Sequence, residues 1–145
     1  VKTGDTVKNN LKRYMQIYRS LNDVIDILDA TVINFSIEFH VVTSANSNAN
    51  DVVTSATFEL QDLFADQLHI GEPLYLSEIY RRLNRVSGVV DVKRVKLHIK
   101  SGGIYSGNTI DLDEIMSRDG TFFKTPKNVI FELKYPNLDI KGVIK

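Results

Sequence analysis

The sequence predicts an α+β fold: a small mixed sheet with a helix pair packed on one face, plus an amino-terminal helix and a carboxy-terminal β extension. Three observations carry this. Residues 33–41 alternate strictly between apolar and polar. Two stretches with helical spacing follow, at 53–68 and 79–86. Alternation then returns at 95–100 and 129–135. The chain divides into 1–30, a helix and its connection, 31–100, a β-α-α-β core, and 101–145, a β-rich extension.

Each element has its own signal. Leu11, Tyr14, Met15, Tyr18 and Leu21 follow an i, i+3, i+4, i+7 pattern over residues 7–20, with Lys8, Lys12, Arg13 and Arg19 mostly off the stripe. Asn22-Asp23 punctuates, and Val24 to Leu28 is a short apolar segment of unassigned type. In the first strand Ile33, Phe35, Ile37, Phe39 and Val41 share one face, and Asn34, Ser36, Glu38 and His40 the other. One face is expected in the core and the other wet or covered. Thr43 to Asn50 is a small-polar loop, with Asn50 placed to cap the next helix. Val53, Ala56, Leu60, Leu63, Phe64 and Leu68 form that helix's stripe.

Gly71 and Pro73 bar continuation of this helix, and Gly71 suits a left-handed backbone. Ser77 reads as the next N-cap. Ile79, Tyr80, Leu83 and Val86 make a shorter amphipathic helix that Gly88 ends. Val95, Leu97 and Ile99 alternate with Arg94, Lys96, His98 and Lys100, while Val90 and Val92 are out of phase. That slip predicts a β-bulge near Lys93-Arg94. The helix pair reads as a crossover that lets strands 31–43 and 89–100 lie parallel. Ser101 to Asn108 is a glycine-rich loop, and Asp119-Gly120 a turn. Val129, Phe131, Leu133 and Tyr135 form a third strand ended by Pro136, and Leu138 to Lys141 suggest a last short one.

Composition excludes several classes. Lys+Arg and Asp+Glu are 18 each, so no net field draws nucleic acid, anionic membrane or acidic substrate. There is no cysteine, hence no disulfide, thiolate-bound zinc or thiol nucleophile. No apolar run approaches the roughly 18–20 residues of a membrane span. The amino terminus lacks a signal h-region and an initiating Met, and the chain reads as a piece of a longer protein.

Candidate chemistry is sparse. His40, His69 and His98 lack a second ligand at i+2 or i+4 that would suggest a metal pair. Asp111-Leu112-Asp113-Glu114 fails the EF-hand template, because Ile115 and Met116 stand where a ligand and Gly are required. A solvated helix start suits it better. The 101–107 loop matches no phosphate-binding pattern. Catalytic, cofactor and metal residues are therefore expected to be none, and the protein is not expected to be an enzyme. Arg81, Arg82 and Arg85, with Lys93, Arg94, Lys96 and Lys100, form the one local basic excess. It supports an alternative reading as a nucleic-acid-binding α+β module using helix 81–85 and strand 93–100. If helix and strand meet through apolar faces, these charges point to opposite sides and make no single groove. A hydrolase using His40 or His98 with a carboxylate is a further alternative.

Gly71-Glu72-Pro73-Leu74-Tyr75-Leu76-Ser77-Glu78-Ile79, followed by Arg85-Val86-Ser87-Gly88-Val89-Val90-Asp91-Val92, resembles the carboxy-terminal part of the baseplate J-like proteins of contractile phage tails. That match covers roughly 31–100. The segments Arg118 to Phe123, Pro126 to Leu133 and Tyr135 to Ile140 look like the end of a baseplate wedge subunit of T-even-type phages. The resemblance implies a structural virion component of the contractile tail. It would dimerise, contact other wedge proteins and help form a ring around the tail tube. It would be assembled in the host cytoplasm and would take no cofactor, small-molecule substrate, nucleic acid or membrane. Tyr14, Tyr18, Phe122 and Phe123 are the candidate interface residues, and core packing is an equal reading for them.

Overall fold

The computed structural model describes residues 3–18 and 26–145. Leu21, Arg19, Asn22, Asp23 and Val24, which carried part of the amino-terminal reading, lie outside the described residues. The chain forms two compact units, Val1–Ala30 and Thr31–Lys145. The first contains α1, Asp5–Gln16. Lys8 Nζ bonds Asp29 Oδ2 at 2.8 Å and Lys12 pairs with Asp26 at 3.5 Å, tying the helix to the segment after it.

The second unit is α+β. Its order is β1 (Thr31–Thr43), α2 (Ala49–Leu63), β2 (Leu74–Tyr75), α3 (Leu76–Asn84), β3 (Val89–Lys100), α4 (Leu112–Ile115), β4 (Phe122–Phe123), β5 (Val129–Glu132), α5 (Pro136–Asp139) and β6 (Ile140–Ile144). β1 is the hub of a mixed sheet. β3 lies antiparallel along one side of it, and β5 and β6 lie parallel along the other. Segment 101–145 thus supplies the second flank of the sheet. β5 pairs with residues 31–34 and β6 with 37–41. The one-turn α5 sits between them, with Pro136 at its first turn, where the missing N–H costs nothing.

The alternating residues of β1 place Ile33, Phe35, Ile37, Phe39 and Val41 in the core under α2 and α3. Ala56 and Leu60 of α2 and Leu76, Ile79 and Leu83 of α3 meet them there. Phe35 anchors an edge-on cluster with Phe64 and Phe131, at centroid distances of 5.6 and 6.2 Å. The predicted bulge falls at Lys93, between the pairs His40–Arg94 and Val41–Val92, and Val90 makes a second one before Thr43–Val89.

The expectation of parallel strands 31–43 and 89–100 is corrected: β1 and β3 are antiparallel. One helix would carry the chain to the far end of the sheet, but two helices return it. The Ser44 N–H therefore bonds the Gly88 carbonyl at 2.9 Å, closing both ends of the excursion at one place. Two caps are also corrected. Asn48, not Asn50, caps α2 by accepting from the Asn50 N–H at 3.1 Å. Ser77 lies inside α3, whose N-cap is Tyr75, and its N–H bonds Thr121 of the neighbouring ribbon. α2 ends at Leu63, well before Gly71, although Gly71 is left-handed as expected (φ +74°). Asp111 caps α4 by accepting from the Asp113 N–H, so the acidic run is a helix start.

Candidate functional site

The largest apolar exposure in the first unit is on α1. Its stripe has the helical period, yet none of its residues is buried. Val7, Leu11, Tyr14, Met15, Ile17 and Tyr18 are all exposed, Tyr14 at 61% and Tyr18 at 75%. Spacing of i, i+4 brings the two tyrosine rings to 5.6 Å between centroids. A free helix of about 12–15 residues is marginal in water, and most helices are held by packing of their apolar face. Here no described residue of that face is buried. Lys8 and Lys12 lie to one side, engaged by Asp29 and Asp26.

Phe122 and Phe123 form β4, which pairs with β2 as Tyr75–Phe122 and Leu74–Phe123. Adjacent strand residues point to opposite faces. Phe123 is therefore in the core at 3% exposure and presents no ring to a partner. Phe122 faces outward and packs against Tyr75 at 5.7 Å between centroids. Exposed Met116 bridges to Phe123 of β4, and Tyr75 with Phe122 makes a small surface patch. The Asp119-Gly120 turn holds it. Asp119 Oδ1 accepts from the hydroxyls of Ser117 and Thr121 and from the Thr121 N–H. Those bonds hold the Asp119 carboxyl below its ordinary range, Ser117 contributing most. Tyr75 was hidden in the sequence because a two-residue strand leaves no periodicity to read.

The sheet face turned away from the helices carries the charges. Ser36, Glu38 and His40 stand beside His98, Lys96 and Arg94 across the β1–β3 ladder, and Lys141 lies beside Glu38 on β6. Glu38 Oε1 meets His40 Nε2 at 2.8 Å, and His98 lies 4.0 Å from its other oxygen. The bond to His40, with the nearby His98 and Lys96 charges, lowers the Glu38 pKa. This is an acid–histidine pair on the sheet face away from the helices, with the His40 side chain largely buried. Among the described residues no group of three or more His, Cys, Asp or Glu could hold a metal ion. His69 is exposed and meets Glu72, within its own turn, at 3.3 Å.

The basic residues divide as the topology requires. Arg81 pairs with Glu78, and Arg82 with Glu59, Asp62 and Glu78, on the helix layer. Arg94, Lys96 and Lys100 lie on the opposite face of the sheet and make no ion pair among the described residues. The two halves of the basic excess do not share a groove.

Loop 101–108 covers one end of this charged face. Ser106 Oγ and Asn108 Nδ2 donate to the Val32 carbonyl, and the Ser106 N–H donates to Asn34 Oδ1 at 2.8 Å. Asn34 is thus buried though it lies on the polar side of β1. Beyond it, the Tyr105 hydroxyl donates to Asp139 Oδ1 at 2.7 Å. The bond to buried Asp139 pushes the Tyr105 pKa up to about 12, with desolvation and the Asp139 charge acting in the same direction. The folded value exceeds the ordinary 10.0, so this stabilisation is complete below pH 10 and lost as pH rises through about 12. Ultraviolet titration should find Tyr105 ionising late in the native chain, and Asp139→Asn should return it towards 10.0.

No protein-family model matches the chain, and no curated protein sequence matches it. Among the described residues no helix is long and apolar enough to cross a membrane. Fold and surfaces together define an α+β module whose notable features are exposed faces.

Proposed function

We propose that this chain is an assembly module: a structural part of a contractile-tail baseplate wedge that works by protein–protein association, without catalysis. The observation that carries the association is the exposed apolar face of α1, Val7 to Met15, continued by Ile17 and Tyr18 just past its end. Contiguous apolar surface of this kind marks a contact site more often than an idle one. The Tyr75–Phe122 patch adds a second apolar surface. The assignment to a baseplate rests on the resemblance of 71–79 and 85–92 to the baseplate J-like proteins. The partners are then a second copy and other wedge proteins, and the location is the virion tail after assembly in the host cytoplasm.

Sedimentation velocity over a concentration series tests the association. The chain should sediment as a dimer or larger species at high concentration. Leu11→Glu places a charge in the middle of the face and should weaken association by about a hundredfold, or roughly 2.7 kcal/mol. A chain that stays monomeric throughout overturns the reading.

A further inference from the structure

We propose that the outer edge of β3 accepts an extended, acidic segment of a partner protein as an added strand. This extends the assembly reading to a second surface, and it rests on that reading only in expecting a protein partner. Among the described residues β3 pairs with β1 and with no other strand. Main-chain polarity shows which groups face outward. The Lys145 N–H bonds the Val41 carbonyl from the β6 side, so the odd-numbered residues of β1 turn their main-chain groups towards β6. The even-numbered residues of β1 turn theirs towards Arg94, Lys96, His98 and Lys100. Val95, Leu97 and Ile99 consequently turn theirs outward. At Val95 the edge is already closed, because its N–H donates to the Tyr80 hydroxyl of α3 at 3.0 Å. At Leu97 and Ile99 the outward N–H and C=O groups have no hydrogen-bond partner among the described residues. A free edge of this kind is a template for another strand.

Side chains specify what fits. On the face away from the helices, four successive positions are Arg94, Lys96, His98 and Lys100. The arginine and the two lysines among them make no ion pair within the described residues, and Glu38 is the carboxylate set among them on β1. On the helix side, Leu97 and Ile99 are partly exposed apolar groups packed against the core. A strand laid along this edge would meet cations on one face and apolar surface on the other. The complement is a segment in which acidic and apolar residues alternate, since directly opposed charges of opposite sign stabilise a strand pair. A second copy of β3 is disfavoured, because Lys96 and Lys100 would face like charges. Nucleic acid is disfavoured because no Phe, Tyr or Trp stands among these cations as a base-stacking platform.

The test uses the isotope-labelled full chain and a blocked synthetic heptapeptide of alternating glutamate and valine. A glutamate-to-lysine version of the peptide and a single-stranded oligonucleotide of matched charge are the comparators. The acidic peptide should protect the Leu97 and Ile99 amides from exchange, with its binding weakened about tenfold by Lys96→Glu with Lys100→Glu. Leu97→Pro removes an outward donor while sparing the β1 ladder and should abolish the protection. If Leu97→Pro disturbs the fold, the paired lysine variant still decides. The proposal is overturned by absence of binding at millimolar peptide or by protection away from β3. Equal binding of the lysine peptide or the oligonucleotide also overturns it. None of these outcomes depends on whether α1 self-associates, which sedimentation of Leu11→Glu reports separately.

Discussion

Phe39→Ala is expected to lower the stability of the Thr31–Lys145 unit by about 3–5 kcal/mol, the range for deleting a buried aromatic side chain. Phe39 is fully buried in the middle of β1, the strand to which every other strand of the main sheet pairs. Its ring lies so close to Gly142 of β6 that a Cβ there would sit 2.6 Å from the ring's Cζ and 2.6 Å from Val53 Cγ1. Strand, helix and carboxy-terminal strand meet at this ring. The loss is therefore felt by β1, α2 and β6 together, and it is large against a typical total of about 5–15 kcal/mol. Urea unfolding should show a lower midpoint. The same contact predicts that Gly142→Ala overpacks the core at a cost of about 1–3 kcal/mol. It also predicts that Phe39→Leu with Gly142→Ala is less damaging than the sum of the two singles, because the smaller side chain makes room.

Gly88→Ala is the second large effect, through two causes acting at once. Gly88 has φ +91°, a conformation that costs a side-chain-bearing residue about 1–3 kcal/mol. A Cβ at this position would also fall 2.6 Å from Val52 Cγ2 and 2.9 Å from Ser47 Oγ. Crowding adds about 1–3 kcal/mol more. The residue sits where the chain returns to the sheet, its carbonyl accepting from the Ser44 N–H. Gly107→Ala is the matched control, with an ordinary φ and nothing within 4 Å of the added carbon, and should leave the unfolding midpoint unchanged.

The core was legible because burial imposes a period. Alternation in β1, the stripes of α2 and α3, and the phase slip at Lys93 all follow from one face being buried. Each needs only neighbours in sequence. The direction of β3 relative to β1 depends on how many helices intervene and where they deliver the chain. Periodicity does not hold that information. The cap at Asn48 was missed because the run from Thr43 to Asn50 offers several small polar residues, and the choice falls to tertiary geometry. β5 was visible as a strand; the last strand was expected over 138–141, but Leu138 and Asp139 belong to α5 and β6 runs Ile140–Ile144. The shared flank of β5 and β6 on β1 was not visible, since it depends on contacts roughly a hundred residues apart.

The candidate surfaces were half legible. The spacing that links Tyr14 and Tyr18 is visible in the sequence, but core packing was an equal reading for them, and only the structure leaves both exposed. Phe122 and Phe123 differ only by strand parity, and parity needs the register with Leu74 and Tyr75 to be resolved. The free edge of β3 had no sequence signature at all. Alternating cations suit an exposed strand anywhere in a sheet, and the topology alone makes this one an edge.

Hydrogen exchange of the α1 amides, compared in dilute and concentrated solution, tests the association claim most directly. A helix of this length whose apolar face is not buried frays, and burial of that face suppresses the fraying. The account predicts that amides from Leu11 to Met15 gain protection as concentration rises, while those of β1 do not change. Protection in α1 that is the same at every concentration would contradict it.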